Sequence, residues 1–422
     1  MARTTPVRRA LVALVGGIAA LVSAAVAPPA SAGTPPASIQ IRGYGYGHGR
    51  GMGQWGALGY AVDHGWSGTQ ILDRYYGGTS TVRMPDDPVQ RVRLDGQVGR
   101  SLVVTAAGQV RAQGGGSVVG PAKAIMVIRL SDTTFRVYTG PGCAGPWTLG
   151  ATIGSTAEVA VNTTVTQTED LATLPQLCRS GGTTYYRGDL TAVHVPGSTW
   201  TVNRVGTENL IRSVIAQEMS PSWADLGGGR GAAALRAQAL AARSYVRAGD
   251  ARWAPYATTC DGTSCQAYFG AGSRSSGSTT PVRKEDPRTD KATRDTQRQV
   301  RRSTSTGTIS LTEFSASTGG WTAGGTFPAV ADAGDDYAGN SNHAWTVTLS
   351  RATVEAAFDR WAGRDLGNFH GLDVLSRNGL GADGGRVLTA RARFSSGNVS
   401  VTGDQVQSIL RLRSNWFATP PT

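Results

Sequence analysis

Residues 43 to 60 read GYGYGHGRGMGQWGALGY, with glycine at every second position from Gly43 to Gly53. Glycine has no Cβ, so it permits positive φ and lets another backbone or a ligand approach closely. Such an alternation presents one row of side chains (Tyr44, Tyr46, His48, Arg50, Met52, then Gln54 and Trp55) and leaves the opposite edge bare. A flexible linker is built from serine and glycine instead. The residue choice therefore points to a groove that grips a flat polar ligand such as a sugar.

The N-terminus reads as an export signal. Arg3, Arg8 and Arg9 precede an apolar stretch from Ala10 to Val26, and Ala30-Ser31-Ala32 is a small-x-small cleavage site. Glycines interrupt the apolar stretch and Pro28-Pro29 follow it, which disfavours a permanent span. Ala10-Leu11 match a twin-arginine signal poorly, so the expectation is Sec-type export, a secreted or envelope location, and no membrane anchor after cleavage. The chain has 422 residues and a formal charge of +12. The signal holds three arginines and no acid, so the remainder stays basic and suits anionic wall polymers. A nucleic-acid partner is not expected, since the chain has no nucleic-acid motif and an export signal. Four cysteines in an exported chain should pair. Of three pairings, 143–178 and 260–265 fits the spacing best, with a metal site at Cys260 and Cys265 as the rival.

Ser67 to Tyr76 reads as a short capped helix. From Val89 to Val202 the chain alternates with period two between Gly, Asp and Asn turns, which indicates an antiparallel β subdomain. The period then changes. Thr207 is a candidate helix cap, and Leu210, Ile211, Val214, Ile215 and Glu218 share one stripe until Pro221. A second helix over Gly231 to Ala248 carries Arg236 and Arg243 on one face and Gln238 with Tyr245. Ser273 to Thr308 is polar and charge-dense and reads as an exposed mobile loop with a helical turn near Thr293 to Val300. A helix near Ala352 to Trp361 and a closing β–helix unit follow. The fold class is α+β.

Glu218 continues an apolar stripe and ends its helix, where the macrodipole disfavours an anion. Both effects keep a carboxyl protonated near neutral pH, as a general acid requires. The alternative is an ordinary surface glutamate, or one paired with Arg236 or Arg243.

Four stretches together resemble the SpoIID/LytB family of bacterial wall proteins. They are YRGDL through VNRVGTENLIRSVIAQEMSPSW (Tyr186 to Trp223), AALRAQALAARSYV (Ala233 to Val246), CDGTSCQAYFG (Cys260 to Gly270) with STGGWT (Ser317 to Thr322), and GHGRGMGQWGA (Gly47 to Ala57). The resemblance implies a SpoIID-like catalytic domain in which helices carry a catalytic glutamate, here Glu218. It implies cleavage of peptidoglycan glycan strands at N-acetylmuramic acid, with closure of a 1,6-anhydro ring. The alternative it carries is a non-catalytic wall-binding protein that enhances an N-acetylmuramoyl-L-alanine amidase. The substrate-binding residues it implies are His48, Met52, Gln54, Arg236, Gln238, Arg243, Tyr245, Ser317, Thr318 and Gly319, with Gln238 and Arg243 contacting substrate or orienting Glu218.

Some members hold zinc around Cys-x-x-x-His-Cys. This chain has Ser264 where that histidine would stand, and two thiols cannot complete a four-ligand site. Disulfides, no metal and no cofactor are therefore expected. The Gly-His-Gly segment precedes the β subdomain, whereas the sporulation members carry it near the C-terminus, so the motif order looks circularly permuted. The expected organisation is a signal peptide over 1–32, the glycine-rich segment over 33–86 completing the active site, a β-rich subdomain over 87–203, and a catalytic core over 204–417 with a mobile loop at 273–308.

Overall fold

The strand Ser38–Tyr44 lies between Ala344–Ser350 and Phe417–Ala418, so residues near the start of the described chain are sewn to its end. The computed structural model describes residues 35–249, 251–262 and 264–419, and the proposed export signal lies outside them. Both helices and strands are present in several mostly antiparallel sheets, an α+β fold. No helix among the described residues is long and apolar enough to cross a membrane.

Seven α-helices are used below: α1 (Gln54–Val62), α2 (Gly68–Tyr75), α3 (Thr207–Glu218), α4 (Ala232–Ala248), α5 (Pro287–Asp295), α6 (Arg351–Ala362) and α7 (Gly403–Leu410). Ser67 caps α2 in a reciprocal capping box with Gln70. Thr207 does not cap α3. Gly206 takes that place, and the Thr207 hydroxyl donates to the Pro88 carbonyl at 2.8 Å.

Strands between Val89 and Gly206 join Thr259–Cys260, Gly272–Ser275 and Val282–Arg283 in a thirteen-stranded sheet. Its core is continuous with that of α1 to α4, so the β subdomain and the helices share one interior. A second core lies under α6, α7 and the sheet Phe369–Arg377, Val387–Phe394, Gly397–Thr402, and it includes Ile39 and Ile41 of the first strand. Disulfides link Cys143 to Cys178 and Cys260 to Cys265.

The segment 273–308 is not a loose loop. It forms the strand Gly272–Ser275, the helix α5 and the strand Gln299–Ser303, which pairs with Thr79–Arg83. Its helix spans Pro287–Asp295, ahead of the expected turn, because Asp286 caps it and Pro287 opens it. Two of its charges are buried against distant partners. Glu285 is buried and binds Arg187 at 2.7 Å, and buried Arg301 pairs with Asp73 at 2.8 Å. These partners lie far away in sequence, so local charge density gave the wrong impression.

The alternating glycines adopt positive φ at 45, 47, 49 and 51. Their bare edge is occupied by protein. A Cβ on Gly45 would meet the Ser317 carbonyl at 2.8 Å, and one on Gly51 would collide with the Glu313 carbonyl. Met52–Gly53 accordingly pairs in parallel with Phe314–Ser315. At Gly78 φ is also positive, but an added Cβ would meet nothing within 4 Å. Alanine at either position incurs the left-handed strain of about 1–2 kcal/mol. Only Gly51→Ala adds a clash, worth about 2 kcal/mol more. Urea unfolding of the two variants should show that difference, and equal losses would contradict the packing described.

Candidate active site

Helix α3 ends at Glu218 because Met219 turns to extended φ/ψ and Pro221 follows. The Glu218 carboxyl faces inward. Oε1 accepts the Ala267 backbone N–H at 2.7 Å, and Oε2 accepts the Gln54 side-chain amide at 3.2 Å. Burial pushes this carboxyl above its ordinary range, while the two hydrogen bonds pull the other way. Both donors are neutral. The nearby arginines are engaged elsewhere, Arg236 with Asp295 at 3.8 Å and Arg243 with Glu208 at 2.8 Å.

Gln54 reaches Glu218 because it is the first residue of α1 and closes the glycine strip. The next residue, Trp55, packs on Trp223 with centroids 4.5 Å apart and on Tyr337 at 6.0 Å. All three rings are partly exposed. Trp223 comes from the 3-10 turn Pro221–Asp225, just beyond Glu218. An aromatic face therefore lies beside the carboxyl.

His48 lies farther along the strip, where Nδ1 accepts the Arg50 backbone N–H at 3.0 Å. It lines a cavity of about 660 Å³ with Arg50, Tyr245, Arg252, Cys265 and Glu313. Arg50 pairs there with Glu313 at 2.8 Å. Cys265 is two residues along the chain from Ala267, the Glu218 donor, so the loop that reaches Glu218 also lines this cavity.

Several expected contacts lie elsewhere. Met52 is fully buried in the main core and cannot touch a ligand. Arg243 is fully buried and grips Glu208 through Nε at 2.9 Å and Nη2 at 2.8 Å. Glu208 stands in the first turn of α3, about 15 Å along the helix from Glu218, so Arg243 does not orient the acid. Gln238 is also fully buried, and its amide finds no partner among the described residues. Arg243 and Gln238 share a physical cause. Helix α4 is rich in alanine and packs against α1, α2, α3, α5 and Gln299–Ser303, so the face carrying Gln238 and Arg243 is closed to substrate.

Ser317, Thr318 and Gly319 form a tight turn whose donors point to protein. Asp335 accepts the Ser317 hydroxyl at 2.8 Å and the backbone N–H groups of Thr318 at 3.0 Å and Gly319 at 2.8 Å. Asp332 accepts the Thr318 hydroxyl and the Tyr75 hydroxyl, each at 2.7 Å. Burial beside Asp335 pushes the Asp332 carboxyl up. Of the expected contacts, Gln54 touches Glu218, His48 and Tyr245 line the 660 Å³ cavity, and Arg236 lies partly exposed at the α4–α5 seam.

Ala267, Trp55, Trp223, Tyr337 and the Asp332–Asp335 pair were not on the sequence-derived site list. Trp55 and Trp223 were visible within the quoted motifs. Ala267 acts through its backbone, which side-chain patterns do not reveal.

Burial, with Arg50 beside it, pushes the His48 imidazole down to about 4. The unfolded chain holds that proton more tightly than the folded one. His48 thus contributes stability above its ordinary value of 6.5 that is lost as pH falls towards about 4. His343 has the opposite sign, because its bond to Asp335 raises it. Its contribution is full below the ordinary value and is lost as pH rises through the folded one. Nitrogen-detected NMR should show His48 neutral and His343 largely protonated at pH 6. A charged His48 at that pH would contradict its placement.

No curated protein and no solved structure matches the chain. A family model described as SpoIID, stage II sporulation protein, matches residues 196–302, which contain α3, Glu218, α4 and the Ala267 loop. By that match, the segment carrying Glu218 and its Ala267 donor is similar to a SpoIID domain.

Proposed function

We propose that this is an exported lytic transglycosylase that cuts peptidoglycan glycan strands with Glu218 as its one catalytic carboxyl. The SpoIID match over residues 196–302 supports a role at the cell wall, since that family is associated with peptidoglycan cleavage. The observation that carries the finer reading is Glu218 itself, a partly buried carboxyl with two neutral donors, beside aromatic rings suited to pyranose faces.

Glycosidases of the two-carboxylate type need a second acid flanking the bond. The nearby candidates have other duties. Asp225 pairs with Arg288 at 2.7 Å, and Asp261 accepts the Asp95 backbone N–H at 2.8 Å. A single carboxyl suffices when the nucleophile belongs to the substrate. Glu218 gives its proton to the oxygen leaving C1 of N-acetylmuramic acid, and positive charge develops at C1. The C6 hydroxyl of the same sugar attacks C1 and passes its proton to the Glu218 carboxylate. A 1,6-anhydro ring results, no water is consumed and the acid is restored. Intramolecular attack gains a high effective molarity. The Ala267 and Gln54 donors stabilise the carboxylate that exists between the two proton transfers.

Purified protein incubated with sacculi should release muropeptides with 1,6-anhydro ends, read by mass spectrometry. Glu218→Gln should reduce release by about 10²-fold or more, and Trp223→Ala should weaken binding to glycan. Retention on wall with no anhydro ends, or equal release by Glu218→Gln, would favour a non-catalytic wall-binding protein that assists an amidase.

A further inference from the structure

The loop that supplies the Ala267 donor is thinly held by its main chain. Between the Asp261 N–H on the Arg93 carbonyl and the Ala271 N–H on the Tyr185 carbonyl, the described backbone–backbone bonds include one within the loop, Cys265 to Gly262. Side chains hold the rest. The Gln266 amide donates to the Ala242 carbonyl of α4 at 3.1 Å, the Tyr268 hydroxyl donates to Asn203 at 2.7 Å, and the Ser264 and Gly270 carbonyls accept from Arg252 at 3.3 Å and from the Ser213 hydroxyl at 2.6 Å. A further tether is covalent. Cys260 lies in the strand Thr259–Cys260, fixed beside Val89–Arg93 at the sheet edge, and its disulfide reaches Cys265. Cys260 is buried, while Cys265 lines the 660 Å³ cavity, where a small thiol can reach its sulfur.

We propose that the Cys260–Cys265 disulfide is a positioning element for Glu218, keeping the Ala267 N–H on the carboxyl, and that reduction of this bond withdraws that donor. The proposal rests on the catalytic reading only for its effect on glycan cleavage, since the effect on Glu218 is a property of the folded protein. Reduction by dithiothreitol converts its two thiols to a cyclic disulfide. The bond between Cys260 and Cys265 breaks, and two electrons and two protons end on the two cysteine thiols. The loop then keeps its side-chain hydrogen bonds and its chain connection at Cys260 but loses the cross-link that pins Cys265 to the sheet edge. Ala267 lies two residues from the released end, and its N–H is free to turn away.

The charged groups on the elements around Glu218 are engaged elsewhere. On α3, Arg212 binds Glu169 and Asp290; on α4, Arg236 binds Asp295; in the following turn, Asp225 binds Arg288; and Asp261 accepts from Asp95. Glu218 therefore reports chiefly on burial and on its two neutral donors. A hydrogen bond to the ionised form favours it, so loss of Ala267 must shift Glu218 further towards the protonated form.

The test is a carbon-detected NMR titration of glutamate carboxyls in the full exported chain, with Glu218 assigned by its absence in Glu218→Gln. Oxidised protein, protein treated with dithiothreitol and then reoxidised, C260S/C265S and C143S/C178S are compared. The Glu218 midpoint should move to higher pH on reduction and in C260S/C265S, return on reoxidation, and stay in place in C143S/C178S. Release of 1,6-anhydro ends should fall about tenfold in step, since small misplacements of a catalytic group are costly. An unmoved midpoint, even with a lower melting temperature, would reduce the disulfide to a stabilising staple and overturn the proposal. If C260S/C265S fails to fold, the reversible reduction of folded protein decides. If oxidised protein releases no anhydro ends, the catalytic reading fails while the titration still judges the clamp.

Discussion

Two buried carboxylates hold the site together. Asp335 gathers the turn Ser317–Gly319 and binds His343 at 3.0 Å, while Asp332 ties that turn to Tyr75 at the end of α2. A Cβ on Gly53 or Gly56 would press into the Asp332 carboxylate. Glycine at those positions lets the start of α1 settle against the acid, and this fixes where Gln54 and Trp55 emerge. Without that anchor, nothing local would bring residue 54 to residue 218. Buried acids without partners are costly; here hydroxyls and backbone N–H groups supply them.

A similar economy governs the helical centre. Alanines let α4 lie close to neighbours on most sides, and buried polar contacts fix the packing. Arg243 joins the first turn of α3 to the α5 region through Glu208 and the carbonyls of Thr293 and Gln299. Arg187 and Arg212 converge on Glu169 and Glu285. The buried pairs among these, Arg243–Glu208 and Arg187–Glu285, add little net stability compared with apolar packing, yet removing one partner is strongly destabilising. They make the frame around Glu218 specific rather than merely cohesive.

Much of this was legible in the sequence. Period-two alternation marked the β subdomain, and the change of period at Thr207 marked α3. The inward stripe singled out Glu218, and cysteine spacing favoured the disulfide pairs. The glycine alternation signalled close approach, although the approaching object is the 313–319 backbone and not a ligand. What the sequence concealed depends on distant partners. Met52 could not be told from the other side chains of the glycine strip in the sequence, since what covers it is the distant Phe314–Ser315. The charges of 273–308 looked solvated because Arg187 and Asp73 lie about a hundred or more residues away. Ala267 contributes an N–H that every non-proline residue possesses, so only the fold could reveal it.

The central claim is that Glu218 and the strip ending in Gln54 and Trp55 face one and the same glycan. A crystal structure of Glu218→Gln soaked with a muramic acid-containing tetrasaccharide tests this most directly. The account predicts a glycosidic oxygen within hydrogen-bond reach of the residue 218 side chain and a pyranose face against Trp55 or Trp223. Glycan bound away from both, with the cleft beside residue 218 empty, would contradict it.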